Sequence, residues 1–256
     1  MTIAWPAQLP LPTLDSYSVK PSAAVDRRDL DLGAARVYRR TRKPLIEVAV
    51  QWQFSAEQQA LFDDFQTNAT EEGAQFFTLT LALPAGQVPI ATRVKGGVQM
   101  APLGRERWRT TATLEVLDRP VMSAAALDAA LGDGGARAWP EGQLPCPLLD
   151  GWQVATQPAT IRTPDLPGLA QQRRRSRSSI ASAPAAWELS AAEAALFDGF
   201  FRWRGCDGAQ WISFPLVQAQ GTTPADVRFT GEMNWIVRPR GRWAVSAPLE
   251  IRDRPV

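Results

Sequence analysis

The chain carries one sequence unit twice. The segment from Trp5-Pro6 to Asp118-Arg119-Pro120-Val121 recurs from Trp139-Pro140 to Asp253-Arg254-Pro255-Val256. From Leu9, which matches Leu144, the two units align without a gap, and about a third of the aligned residues are identical. A period of this length is typical of a duplicated domain, because solenoid repeats are much shorter. We therefore predict a β-rich repeat one (residues 1–121), a linker (122–138) and a β-rich repeat two (139–256).

The composition argues against an enzyme. The chain has 256 residues and no histidine, which removes Ser-His-Asp and Cys-His arrangements and the commonest general base. The sequence also lacks a phosphate-binding glycine loop and the residue spacing of a metal site. We therefore predict a protein with no catalytic residues, no metal and no cofactor.

The charge and the N-terminal segment bear on partners and location. A net charge of +2 does not suggest a strong polyelectrolyte partner. The first residues lack the basic and apolar regions of a signal peptide, and no apolar run approaches the length of a membrane span. We therefore expect no membrane anchor, and a protein that is made in the cytosol and is kept or assembled there.

Alternating apolar and polar residues predict strands in both repeats. Ile46, Val48, Val50 and Trp52 share one face of a strand, and a second run extends from Trp108 to Val116. Ser55 and Ser190 each begin a capping box before an apolar helical stripe. Each repeat is therefore predicted to be mainly β, with about five strands and one helix, in a sandwich-like or barrel-like fold.

Arginine runs occur at equivalent places in the two repeats. Because the arginine guanidinium binds carboxylates through two parallel hydrogen bonds, we predict that these residues form ion pairs at a subunit interface. Contact with phosphates is the alternative, and it would make the chain a nucleic-acid-binding protein. The runs comprise Arg39, Arg40 and Arg42 in repeat one and Arg173, Arg174, Arg175 and Arg177 in repeat two.

Recurring tryptophans and carboxylates are predicted to be structural. Trp52 and Trp187 are equivalent, as are Trp108 and Trp243, and we expect both pairs to anchor the core. The Asp118-Arg119 ending is predicted to form an ion pair that closes the last strand. Tryptophans that occur in repeat two only, namely Trp203, Trp211 and Trp235, leave a tandem carbohydrate-binding module as a further alternative.

The order of the shared motifs resembles a known protein family. It runs Trp-Pro, Leu-Pro-x-Pro-x-Leu-Asp, Arg-Arg-x-Arg, Ser-Ala-x-x-x-Ala-Leu-Phe-Asp-x-Phe, Gly-Ala-Gln and Leu-Glu-x-x-Asp-Arg-Pro in both repeats. This order resembles small structural proteins encoded in the tail-assembly modules of tailed bacteriophages and prophages. In that family the unit is single-copy, whereas this chain has it in tandem.

The resemblance implies a structural role in a virion. The expected fold is tail-tube-like, and the expected function is a ring-forming tube, adaptor, terminator or distal tail protein. The implied partners are further chains of the same protein, in a trimeric or hexameric ring, and other phage tail proteins. DNA would pass near the protein in a tail channel. The implied location is the tail of a virion assembled in the bacterial host cytoplasm.

Overall fold

The structure is a computed structural model. It describes residues 3–30, 33–104, 106–132, 134–157, 160–162, 172–174, 180–218 and 221–252. The described residues are mainly β, as predicted.

Repeat one contains one helical segment between its strands. Helix α1 (Ala56–Asp64) begins at Ser55, whose side chain accepts a hydrogen bond from the backbone N–H of Gln58 in a complete capping box. The helix continues as a π-helical turn (Phe65–Ala69). The strands are β1 (Ile3–Ala4), β2 (Thr13–Pro21), β3 (Val25–Arg28), β4 (Arg36–Arg39), β5 (Ile46–Ser55), β6 (Phe77–Leu83), β7 (Gly86–Gly104) and β8 (Arg107–Val116).

Repeat two has strands on both sides of one main helix, as repeat one does, and a linker with one helix precedes it. Helix α2 (Ala124–Leu131) lies in the linker and ends at Gly132, which has a left-handed conformation. Helix α3 (Ala191–Trp203) begins at Ser190 with a second capping box. The strands are β9 (Ala155–Thr156), β10 (Thr160–Arg162), β11 (Gln172–Arg174), β12 (Ile180–Leu189), β13 (Ile212–Gln218), β14 (Gly221–Phe229), β15 (Asn234–Arg238) and β16 (Arg242–Arg252).

Strand pairing is equivalent in the two repeats. β5 pairs antiparallel with β8 from Ile46 opposite Val116, and β12 pairs with β16 from Ala181 opposite Ile251 at the equivalent positions. β7 runs without interruption, whereas its counterpart in repeat two is divided into β14 and β15, which both pair with β16. Each repeat has more strands than predicted, because the short strands carry no clear alternation of apolar residues.

Most strands of both repeats join in one sheet. Twelve strands belong to it, and its main path runs β1-β6-β7-β8-β5-β2-β15-β16-β12-β9. The hairpins β3–β4 and β10–β11 stand outside this sheet as separate two-stranded ribbons. The path of the described strands is open at both ends, so these strands do not form a closed barrel.

Aromatic side chains fill the core in both repeats. Trp52 is stacked on Trp5 with ring centroids 5.7 Å apart, and Trp187 is stacked on Trp139 at 5.9 Å. Trp52, Trp187 and Trp243, which are predicted to anchor the core, are buried. Trp108, which carries the same prediction, is half-buried. Its strand partner Pro102 lies on the exposed part of β7.

The turn after each helix has the same backbone shape in both repeats. Gly73 and Gly208 have φ angles of 93° and 92°, and a Cβ atom at either position would lie 2.8 Å or 2.7 Å from a carbonyl oxygen of the facing strand. The residue before each glycine is acidic and also left-handed, with φ of 56° at Glu72 and 55° at Asp207. Glycine is therefore required by both conformation and space.

A glycine comparison in repeat two tests this requirement. We expect Gly208→Ala to lower the free energy of unfolding by about 2 to 4 kcal/mol, because a left-handed alanine and a steric clash both cost energy. Gly241→Ala, where φ is 70° and no atom lies within 4 Å, should cost only about 1 kcal/mol. Urea unfolding followed by tryptophan fluorescence measures both, and equal losses would contradict the steric argument.

Candidate functional site: the contact between the repeats

Repeat one contacts repeat two through an antiparallel strand pair. Val19 on β2 lies opposite Trp235 on β15, and Ser18 lies opposite Ile236. The other side of β2 pairs with β5, so β2 joins the sheets of the two repeats. Val19 and Trp235 are both fully buried. Burial of this apolar pair and the backbone hydrogen bonds both stabilise the contact.

The β3–β4 hairpin follows β2 and extends this contact. Its register places Val25 opposite Arg39 and Arg27 opposite Val37. From this hairpin Arg27 and Arg39 reach carboxylates of repeat two. We call β2 with the β3–β4 hairpin the arm, and β15 with Asp198, Asp207 and Glu250 the acceptor face.

A deeply buried ion pair joins Arg119 of repeat one to Asp198 of repeat two. Arg119 follows the last strand of repeat one, and Asp198 lies on α3. Their side chains are 5% and 2% exposed, respectively. Burial raises the pKa of Asp198 above its ordinary value, while the positive charges of Arg119 and Arg202 oppose that shift. Arg119 therefore favours the ionised state of a carboxylate that has lost its water.

A second pair joins the arm to the turn after α3. Arg39 Nη2 lies 2.6 Å from Asp207 Oδ2, and Arg202 contacts the other carboxylate oxygen at 3.4 Å. Burial raises the pKa of Asp207, and Arg202 and Arg39 oppose the shift. The left-handed turn before Gly208 presents this carboxylate to the arm.

The third pair is centred on Glu250 of β16. Arg27 Nη1 donates to Glu250 Oε2 at 2.6 Å, and Arg228 of repeat two donates to the same oxygen at 2.8 Å. Arg228 also donates to the carbonyl oxygen of Ala35, beside the hairpin. Both the side chain and the backbone of the arm are therefore fixed by this cluster.

Apolar packing fills the space between the charged pairs. A cleft between the repeats, lined by Ala24 and Pro44 on one side and Phe201 and Met233 on the other, has a volume of about 20 Å³. This space is about that of a single water-sized probe. The contact is therefore closely packed, and the two repeats share one continuous hydrophobic cluster.

The predicted arginines have different environments. Arg39 is half-buried in the contact, whereas Arg40 and Arg42 lie beyond β4 and are exposed. Arg173 and Arg174 are exposed on β11, and Arg175 and Arg177 lie outside the described residues. Of the predicted set, the structure therefore places Arg39 in an ion pair between the repeats.

The predicted Asp118–Arg119 ion pair is wrong. Lys43 Nζ lies 2.6 Å from Asp118 Oδ2, and Arg119 pairs with Asp198 of the other repeat. Adjacent side chains of an extended segment point to opposite sides, so neighbours in sequence are poor partners. Sequence reasoning also missed Arg27, although its counterpart Arg162 was a signal available in the repeat alignment.

The tryptophans specific to repeat two do not line a common exposed surface. Trp235 is fully buried, and Trp211 is covered by the guanidinium groups of Arg228 and Arg252, at 4.5 and 5.0 Å from its ring centroid. Trp203 is 40% exposed, and its Nε1 donates to the Met122 carbonyl oxygen at 2.7 Å. A carbohydrate-stacking platform would need several exposed rings, which this arrangement does not provide.

Comparison with known proteins gives no family for this chain: no family model and no curated protein matches it. Within the described parts of the chain, no group of three or more Cys, Asp or Glu residues is placed to hold a metal ion. None of the described helices combines the length and the apolar character needed to cross a membrane.

Removing one partner of the buried pair should destabilise the protein. We expect Arg119→Ala to lower the free energy of unfolding by about 3 kcal/mol or more, because it leaves the Asp198 carboxylate buried without its main partner. The double variant Arg119→Met/Asp198→Leu should recover most of that loss, because neither buried charge remains. Urea unfolding measures both variants, and a single variant as stable as wild type would contradict the role of the pair.

Proposed function

We propose that this protein is a non-enzymatic structural component of a bacteriophage tail, in which two tandem β-rich domains occupy neighbouring places in a ring. The observation that carries the proposal is the directional contact between the repeats. The arm of repeat one binds the acceptor face of repeat two, so the two sides of the contact differ. The motif order that resembles phage tail proteins supplies the biological setting.

A directional contact suits a closed ring. An interface between two different surfaces generates a ring when its rotation closes, whereas a twofold interface stops at a dimer. Because each chain contributes two similar units, three chains would present as many units as a hexamer of single-copy proteins. A trimer or a hexamer of this chain is therefore the proposed assembly, with other tail proteins above and below it.

The tail assignment is tested on purified virions. We expect the protein in the tail fraction by mass spectrometry, and a ring with threefold or sixfold symmetry at the tail in averaged particle images. Genes for tube, tape-measure or portal proteins should lie beside its gene. Virions that lack the protein, or a protein that stays monomeric within the virion, would contradict the proposal.

Nucleic-acid binding is the second candidate, favoured by the exposed arginines. Arg40 and Arg42 beyond β4, with Arg173 on β11, present positive charge to solvent. Under our proposal a DNA fragment should show no shift in a gel at physiological salt. A salt-sensitive shift that is lost in the variant Arg40→Ala/Arg42→Ala/Arg173→Ala would instead favour nucleic-acid binding.

A further inference from the structure

Each repeat carries both an arm and an acceptor face, but the contact described above uses only one of each. The arm of repeat one sits on the acceptor face of repeat two. Repeat two has the counterpart of the arm at 148–156 and in the β10–β11 hairpin, and repeat one has the counterpart of the acceptor face around 99–103. We infer the role of these two remaining surfaces.

The described strands of the β10–β11 hairpin have the register of the β3–β4 hairpin. In β10–β11, Thr160 lies opposite Arg174 and Arg162 opposite Gln172. These pairs occupy the positions of Val25 with Arg39 and of Arg27 with Val37 in the first hairpin. The backbone of β10–β11 therefore places Arg162 and Arg174 where the contact arginines lie in β3–β4.

The acceptor strand of repeat one has an open edge. The second half of β7 pairs with β8 on one side, and no other described strand pairs with its second side. Met100, at the position of the buried Trp235, is 42% exposed, and Leu103 nearby is 41% exposed. An exposed edge strand with apolar side chains is a template for another strand. Trp108 beside it is half-buried, whereas its counterpart Trp243 is buried.

The acidic side chains of the acceptor face also recur in repeat one. Glu72 occupies the same left-handed turn as Asp207. Glu115 corresponds to Glu250, and it accepts from Arg93 Nε at 2.6 Å as Glu250 accepts from Arg228. Glu72 is exposed where Asp207 is buried by the arm.

The charged residues of all three pairs recur in the sequence for the reversed combination. By position, Arg162 and Glu115 match Arg27 and Glu250. Arg174 and Glu72 match Arg39 and Asp207, and Asp63 matches Asp198. The counterpart of Arg119 is Arg254, which lies outside the described residues. About a third of the aligned residues are identical, and the acidic or basic character of these positions is kept in both repeats.

We propose that a second copy of this chain docks its repeat-two arm on the repeat-one acceptor face, so that the contact between repeats is repeated between chains. Residues 153–154 of one chain then pair antiparallel with residues 100–101 of the next, so that Val154 lies opposite Met100. This is the register in which Val19 lies opposite Trp235 and Ser18 lies opposite Ile236. The inference rests on the proposed ring and names its interface. Every repeat thereby gives one arm and receives one.

Charge exchange in the full chain tests the interface. Wild type should form oligomers in sedimentation velocity, and Glu72→Arg and Arg174→Glu should each weaken association by about 30-fold or more. A mixture of the two single variants should regain association in alternating order, because the wild-type charge pair forms at one contact and the exchanged charge pair forms at the next. The double variant Glu72→Arg/Arg174→Glu should regain self-association.

A control variant and a folding measurement separate loss of the interface from loss of the fold. Glu141→Arg changes an exposed carboxylate outside both surfaces and should associate as wild type does. Circular dichroism should show every variant folded, because the altered residues lie on the surface. A monomeric wild-type protein, or single variants that associate normally, would overturn the interface. Virion localisation is measured separately, so a wrong interface and a wrong tail assignment give different results.

A disulfide test fixes the register. In a chain with Cys146→Ser and Cys206→Ser, the pair Met100→Cys/Val154→Cys should form cross-links between chains under oxidation, because facing residues of antiparallel strands have suitable spacing. The pair Ala101→Cys/Val154→Cys should cross-link far less, because neighbouring side chains point to opposite faces. Equal cross-linking by both pairs, or by neither, would contradict the proposed register.

Discussion

The packing of one arm on one acceptor face determines how the whole chain is organised. β2 pairs with a strand of each repeat, and this double pairing joins two sheets into one of twelve strands. Three arginine–carboxylate contacts lie around the strand pair. A carboxylate that is buried without its arginine costs several kcal/mol, on the order of 3 to 5, so the charges penalise any other register. Burial of apolar side chains stabilises the contact, and the ion pairs determine its register.

The covalent link between repeats has a physical consequence for assembly. Within a chain the arm and its acceptor are held at a high effective concentration, so this contact forms without a bimolecular step. If chains associate by the same contact, as we propose, half of all contacts in the ring are intramolecular. The linker helix α2 packs on α3, where Leu127 lies against Gly199, and thereby helps to hold the two repeats in one arrangement.

Local chemistry made several elements predictable. The capping boxes at Ser55 and Ser190 located both main helices, because a cap depends on residues only three positions apart. Strict alternation located β5 and β8. The β3–β4 and β10–β11 hairpins have no such pattern. Their arginines predicted an interface, but the sequence did not show which carboxylates these arginines bind. Arg119 was assigned to Asp118, its neighbour in sequence, and its actual partner is 79 residues away.

The sequence by itself determined the duplication, the mainly β character, the two capped helices and the tryptophans Trp52, Trp187 and Trp243 of the core. These features depend on local patterns or on comparison of one repeat with the other. Only the tertiary structure decided that Asp198, Asp207 and Glu250 receive arginines from the other repeat, and that the edge of β7 stays open in repeat one. Such pairings depend on which surfaces meet when the chain folds, and no periodicity within a segment encodes that choice.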